Sequence, residues 1–359
     1  MGKNLAFTEG LYILAAARMA GERTPQAIVH LLRGRKNNQA IADAALFGLS
    51  MLYGLFRSHT LESVQGELNS LIDGGLLVVR PQGDRLSVYV SAAGEAKLAQ
   101  VEAEFGYEAC LASVSSVFER TRAVRFWQRT ALLVQTVSQL VYKEPHFYPV
   151  VEERALQHDV KRVLRAYPDR LELGVQVKQE LCSWMEQLVE WERELLLRRL
   201  SGKPRAGWTY AQLGVQLDLA DGAVALHLIR LAAEQVMRCD QKMFPVLSRF
   251  VEAPDDGLSQ SAHQTKKMLQ EGRTVEEIIQ LRRLKRGTVE DHIVEIVLAD
   301  PAFPLDSLVK AEKLARIHAF VSETGTRKIG DIRRVLGEAY SYLDIRLACA
   351  RLPKQEEHR

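Results

Sequence analysis

Arg57-Ser58-His59-Thr60-Leu61-Glu62-Ser63-Val64-Gln65-Gly66-Glu67-Leu68-Asn69-Ser70-Leu71-Ile72-Asp73-Gly74-Gly75 carries the pattern of a capped amphipathic helix at the centre of the N-terminal region. Leu61, Val64, Leu68 and Leu71 recur at helical spacing and share one face. Ser63, Gln65, Gly66 and Asn69 lie opposite, so the helix has one apolar and one small polar side. Gly74-Gly75 ends it, because glycine takes the left-handed cap conformation without a Cβ penalty. Behind it, Leu76 to Arg80 and Leu86 to Val90 are rich in β-branched residues around Pro81-Gln82-Gly83-Asp84-Arg85, which reads as a hairpin.

Working back toward the N-terminus, Phe7 to Met19 is an apolar helical stretch ending near Gly21. Thr24 is placed to cap a second helix, with Pro25 at its first position, where a missing N–H is harmless. That helix stops at Gly34 and a basic-polar turn follows, Arg35-Lys36-Asn37-Asn38. Ala40 to Tyr53 forms a third helical stretch. Helices followed by a short hairpin describe a winged helix, whose last helix normally enters the major groove.

Downstream, residues 101–200 read as wholly helical, broken mainly at Pro145, Pro149 and Pro168. Val177, Leu181, Trp184, Leu188, Trp191 and Leu195 fall at heptad-like spacing; such a stripe either pairs with another helix or packs inside its own domain. Gly202 to Gly207 is a basic loop, and Thr209-Tyr210-Ala211-Gln212 matches a capping box. The segment from about 209 to 235 has helix-turn-helix proportions. Its second helix shows Ala225, Leu226 and Ile229 where base-reading groups would stand, which marks a packing or protein-contact unit. Residues 253–262 are turn-rich and polar, a linker candidate. The sequence thus divides into a winged-helix domain (1–100), a helical middle domain (101–252), the linker, a helix-turn-helix domain (263–352) and a polar tail (353–359). The expected fold class is mainly α with one short β-hairpin.

The C-terminal helix-turn-helix rests on two cap signals. Thr274-Val275-Glu276-Glu277 and Thr288-Val289-Glu290-Asp291 each place a carboxylate three residues after a hydroxyl. Val275, Ile278 and Ile279 form the inner face of the first helix; Val289, Ile293, Ile296 and Val297 form that of the second. Between them Arg282, Arg283, Lys285 and Arg286 put four cations in five positions. A phosphate backbone beside that turn would be neutralised by them, with Thr288 and His292 on the following helix. Glu290, Asp291 and Glu295 oppose this by repulsion, so contact with DNA and contact with protein both stay open.

Bulk properties bound the rest. The chain has 359 residues, 47% hydrophobic and 26% charged, which fits an ordinary globular protein. Its net charge is +3, so any phosphate-binding surface must come from local clustering. Cys110, Cys182, Cys239 and Cys349 are scattered without metal spacing, which fits a reducing compartment. Leu11 to Ala17 is too short to span a bilayer and lacks a signal-peptide layout. The expected location is cytoplasmic, at the nucleoid. Neither a phosphate loop of the G-x-x-x-x-G-K-[ST] type nor a plausible acid–base or metal constellation is present, so the expectation is a non-enzyme with no cofactor and no metal. His146, His158, His227 and His292 are dispersed, and the last two read as surface or satisfied core residues.

Val29-His30-Leu31-Leu32-Arg33-Gly34-Arg35-Lys36-Asn37 resembles the "LRG-x-KN" signature of the winged helix appended to RecQ helicases. Gly54-Leu55-Phe56-Arg57-Ser58-His59 and Leu71-Ile72-Asp73-Gly74-Gly75-Leu76 continue the likeness. Residues 263–352 are similar to the helicase-associated helix-turn-helix of some RecQ proteins, through Gln270-Glu271-Gly272-Arg273-Thr274, Thr288-Val289-Glu290-Asp291-His292 and Ser341-Tyr342-Leu343-Asp344-Ile345-Arg346. One chain with both ends and helices between resembles the YpbB-like helicase-associated proteins of Firmicutes. The chain departs from RecQ in lacking the motor and the four-cysteine zinc element.

The resemblance implies a DNA-binding accessory part carried on a separate polypeptide, acting with a RecQ-type helicase in repair or recombination. Its DNA would be duplex, forked or tailed, with neither a membrane nor a small-molecule substrate involved. Carried over residue by residue, the winged-helix DNA face would comprise Arg33, Arg35 and Lys36 at the signature turn. Arg57, Ser58 and His59 would stand at the entry to the recognition helix, Ser63, Gln65 and Asn69 along it, and Arg85 on the wing. Small polar side chains there favour backbone contacts over base reading. The alternative function is a transcription regulator reading a specific operator through one helix-turn-helix.

Overall fold

The computed structural model describes residues 2–35, 38–82, 85–203, 205–252, 258, 260–300, 302–326 and 329–352. The N-terminal region runs α1 (Gly2–Met19), α2 (Pro25–Leu32), α3 (Asn38–Leu46), α4 (Leu61–Asp73), β1 (Leu77–Gln82), β2 (Arg85–Val90) and α5 (Ala92–Phe105). The middle supplies α6 (Tyr107–Ala112), α7 (Val117–Val141), α8 (Arg154–Ala166), α9 (Arg170–Met185), α10 (Glu190–Arg199), α11 (Tyr210–Leu217) and α12 (Asp221–Arg238). The C-terminal region adds α13 (Gln260–Gln270), α14 (Val275–Arg282), α15 (Arg286–Ala299), α16 (Ala311–Thr324), α17 (Ile329–Leu336) and α18 (Tyr342–Arg351). The fold is mainly helical with one antiparallel hairpin, β1 against β2, in a register from Leu77 opposite Val90 to Gln82 opposite Arg85.

Local chemistry explains most boundaries. The Thr60 hydroxyl accepts from Ser63 N and starts α4, while Gly75 at φ +73° ends it. Val64, Leu68 and Leu71 are buried as the spacing requires; Leu61 in the first turn is exposed. Thr24 precedes Pro25 but makes no side-chain cap bond. The third stretch is shorter than its apolar pattern: α3 stops at Leu46, and Ser50–Leu52 is one 3-10 turn. Thr209 and Thr274 close capping boxes with Gln212 and Glu277. Thr288 does not: α15 begins earlier, at Arg286 with Lys285 as N-cap, which leaves Thr288 inside its first turn.

The chain forms two compact units, residues 1–11 with 99–253 and residues 12–98 with 254–359. The second unit joins the winged helix to the C-terminal helix-turn-helix, a grouping that differs from the sequence boundaries because their apolar faces pack together. α15 packs against α13, α14, α18 and α3. Leu46, the last residue of α3, packs against the core cluster of Ile317, Phe320, Val321, Ile332, Ile345, Ala348 and Cys349. The segment read as a linker falls largely on residues outside the described ones, and its last residues, from Gln260, open α13.

In the first unit α12 is a central helix packed on α7, with Val224, Leu226, Leu228, Leu231 and Ala232 buried around it. The helix-turn-helix proportions at 209–235 therefore serve packing. The apolar stripe from Val177 to Leu195 is broken by the end of α9 at Met185 and the start of α10 at Glu190, and most of it is buried in its own unit. Inside lie charged residues that are fully engaged. Arg129 donates to Asp159 at 2.7 Å and to Glu252 at 2.5 Å, and Glu180 accepts from Val246 N and Leu247 N at 2.9 and 2.8 Å. Buried charge without such partners would cost several kcal/mol, on the order of 3–5. Among the described residues no helix is long and apolar enough to cross a membrane. No group of three or more potential metal ligands is found among them either.

Candidate nucleic-acid interface

The signature turn is built around two glycines. Gly34, at φ +64°, lies so close to Gly54 that a Cβ there would meet the Gly54 Cα at 2.7 Å. The approach is fixed by backbone bonds: Gly54 N donates to Leu31 O at 2.9 Å and Phe56 N to Leu32 O at 2.8 Å. The end of α2 is thus bonded to the segment that leads into α4. The Arg57 guanidinium lies over this crossing, 3.2 Å from the position that Gly34 Cβ would take. Arg35 is exposed; its carbonyl accepts from the Tyr53 hydroxyl at 2.9 Å, and its Nη1 meets His30 Nε2 at 2.8 Å. Burial, reinforced by Arg35, holds His30 below the usual histidine range, so the ring is neutral and accepts from Arg35. The turn therefore holds the Arg35 cation outward. Lys36 lies outside the described residues, and Arg33 is half-buried with its Nε enclosed and without a hydrogen-bond partner.

Along α4 the polar groups are partly used by one another. Ser63 Oγ donates to Glu67 at 3.4 Å, and Gln65 Nε2 donates to Asn69 Oδ1 at 3.2 Å. Glu67 also accepts from the Tyr12 hydroxyl at 3.0 Å. No cation stands on α4 itself, where Glu62 and Asp73 are exposed. Arg57, Ser58 and His59 are exposed just before it, with the His59 ring 5.1 Å from Phe56. The wing carries Arg85 at one side of its tip and Arg80 nearby on β1, both exposed. Arg80 escaped the sequence reading; strand alternation alone places it on the solvent side. The wing is held to the helices by Val88 N donating to Arg23 O at 3.2 Å, while Arg23 pairs at 2.9 Å with the buried Asp43.

At the C-terminal turn the four cations divide. Arg282 is a packing residue: it donates to Ser261 O at 2.7 Å, Ser261 Oγ at 2.8 Å, Gln264 at 3.0 Å and the Thr265 hydroxyl, all on α13. Burial pulls its guanidinium below the usual arginine range. His292, expected at the DNA face, is only 5% exposed and meets Thr265 Oγ1 at 3.1 Å. Burial first, then Arg282, lowers its affinity for a proton. The inference from spacing fails for these two residues because their partners come from α13. Arg286 is exposed but pairs with Glu276 at 2.9 Å and faces Glu290 at 3.9 Å. Arg283 and Lys285 are exposed, and Thr288 is exposed beside them.

The helix after the turn is not a free recognition helix. Val289, His292, Ile293, Val294, Ile296 and Val297 are all buried, so α15 is enclosed along its length and offers only its first turn. Asp291, one of the opposing carboxylates, is paired with Arg346 at 2.7 Å. Nothing in the spacing of the two helices announces that ion pair, because Arg346 arrives from α18. What the arrangement can do chemically is bind phosphate at two basic turns; it offers few groups able to grip a base edge bidentately.

A helix-turn-helix domain family matches residues 261–349. The chain is similar to Protein YpbB of Bacillus subtilis, 27% identical over 341 residues that cover 94% of this chain and 95% of the relative. The likeness to YpbB runs through the winged helix, the middle helices and the helix-turn-helix alike. No solved structure matches this chain.

Proposed function

We propose that this protein is a non-catalytic DNA-binding accessory protein that works with a RecQ-type helicase in repair or recombination. It binds duplex, forked or tailed DNA through the sugar-phosphate backbone, in the cytoplasm at the nucleoid. The observation that carries the reading is the Gly34–Gly54 crossing, which presents Arg35 and Arg57 at the entrance to α4 while α4 itself carries no cation. Cations at the edges and small polar groups between them suit a surface that follows phosphates and ignores sequence. The similarity of the signature turn to the RecQ winged helix, together with the absence of a motor motif, supports a partner that supplies ATP-driven movement.

The test is unwinding of a forked duplex by a short RecQ-type helicase lacking its own winged helix, with and without this chain. The expected result is stimulation that falls when Arg35 and Arg57 are reversed to Glu. Equal unwinding with the wild-type chain and without it refutes the helicase role.

A further inference from the structure

We propose that the winged helix and the C-terminal helix-turn-helix act as one body and grip a single duplex through both basic turns at once. This rests on the DNA-binding reading above and adds to it the geometry of engagement. α3, which starts just after the Arg35 turn, packs directly on α15, which starts just after Arg283 and Lys285. Leu46 at the other end of α3 packs, half-buried, on the cluster formed by α16, α17 and α18, and residues 12–98 and 254–359 form one compact unit. The two turns are thus held by a shared core and do not hang on a tether.

That packing limits how far apart the turns can be. α3 has 9 residues and α15 has 14, which makes them about 14 and 21 Å long at 1.5 Å per residue. Packed helix axes lie about 8–10 Å apart. Wherever along their lengths the helices touch, the two turns lie within roughly 45 Å, which is about 13 base pairs at 3.4 Å per step. Duplex DNA stays straight over that length, its persistence length being about 150 base pairs.

Electrostatics on the same body point the same way. Two carboxylates beside the C-terminal turn are paired, Asp291 with Arg346 and Glu276 with Arg286, while Glu290 faces Arg286 at 3.9 Å. On α4, Glu67 accepts from the Tyr12 hydroxyl, while Glu62 and Asp73 are exposed. The outward cations are then Arg35 and Arg57 at one turn and Arg283 and Lys285 at the other. Two turns on one core place the second contact without a second association step, so both add to a single binding event.

The experiment uses the full chain and a 30-base-pair duplex of arbitrary sequence, read by fluorescence anisotropy and by stoichiometric titration at excess DNA. Three variants are compared with wild type: Arg35→Glu, the pair Arg283→Glu with Lys285→Glu, and all three together. These are surface positions, and thermal melting by circular dichroism confirms that each variant is folded. The expected result is one duplex per chain, an affinity loss of about tenfold or more from either set, and a salt slope that falls by about 1 for each cation removed. Two duplexes per chain, or full affinity retained in either variant set, overturns the shared grip while leaving DNA binding intact. A wild-type chain that binds no duplex at 50 mM salt overturns the DNA reading itself, and the shared grip with it.

Discussion

The basic turn between α14 and α15 allows a prediction in which neighbouring arginines behave oppositely. Arg282 donates to four oxygen acceptors on α13. Hydrogen bonds from a charged donor contribute about 1.5–3 kcal/mol each at full burial, and since Arg282 is only partly enclosed the set is discounted to about 2 kcal/mol in total. Arg282→Gln should therefore speed amide hydrogen exchange in α13 and α15 by about thirtyfold, at 1.4 kcal/mol per factor of ten. Exchange is the suitable assay because a chain with two compact units need not unfold in one step. The salt dependence of DNA binding should stay as in wild type. Arg283, by contrast, sits at φ +51°, in left-handed backbone that a side chain adopts at a cost of about 1–2 kcal/mol. Arg283→Gly should leave stability unchanged or raise it by up to about 1 kcal/mol. The same substitution should reduce the salt slope by about 1, so that the affinity drop between 50 and 200 mM salt shrinks about 3.5-fold. A lower slope with unchanged exchange in Arg282→Gln, or an unchanged slope in Arg283→Gly, would refute the division of roles.

Gly34→Ala places a Cβ 2.7 Å from the Gly54 backbone and in left-handed conformation; a loss of at least about 2 kcal/mol in the winged helix is expected, seen as faster exchange in α2 and α4. His227 on α12 is pushed down to about 4, by burial first and by Arg230 next. Its unfolded form takes up a proton near 6.5, so between pH 6.5 and 4 the unfolded state binds more protons and stability falls as the pH is lowered. His227→Gln should flatten that acid limb by roughly 2–3 kcal/mol, measured by urea unfolding at pH 7 and pH 4.5; an unchanged limb excludes His227 as its source. Ile293→Ala, in the enclosed middle of α15, should cost about 2–5 kcal/mol and unfold the helix-turn-helix before it affects any DNA-facing group. A free recognition helix would tolerate that change with little loss.

The winged helix was legible because its signals are local. The apolar face of α4, its Thr60 cap, the Gly74-Gly75 stop and the β-branched strands each depend on residues a few positions apart. Helix ends were less so. Thr288 and Asp291 have capping-box spacing, yet α15 starts three residues earlier, with Lys285 and not Thr288 as N-cap, and no local rule chooses between the two starts. The candidate site divides in the same way. Exposure of Arg35, Arg57 and Arg85 follows from turn and hairpin positions, whereas Arg282 and His292 have the same appearance in sequence as surface groups. Only the arrival of Ser261 and Thr265 from α13 shows that they are interior. The masking of Asp291 by Arg346 and the packing of α3 on α15 join segments remote in sequence, and periodicity carries no information on which faces meet.

Equilibrium titration of the full chain with two duplexes of unrelated sequence, across 50 to 200 mM salt, decides whether the basic turns bind backbone phosphate. Phosphate binding at the basic turns predicts affinities that agree within about twofold between the two sequences and fall steeply as salt rises. Failure to bind either duplex at 50 mM salt, or strong binding to one sequence that is indifferent to salt, would contradict it.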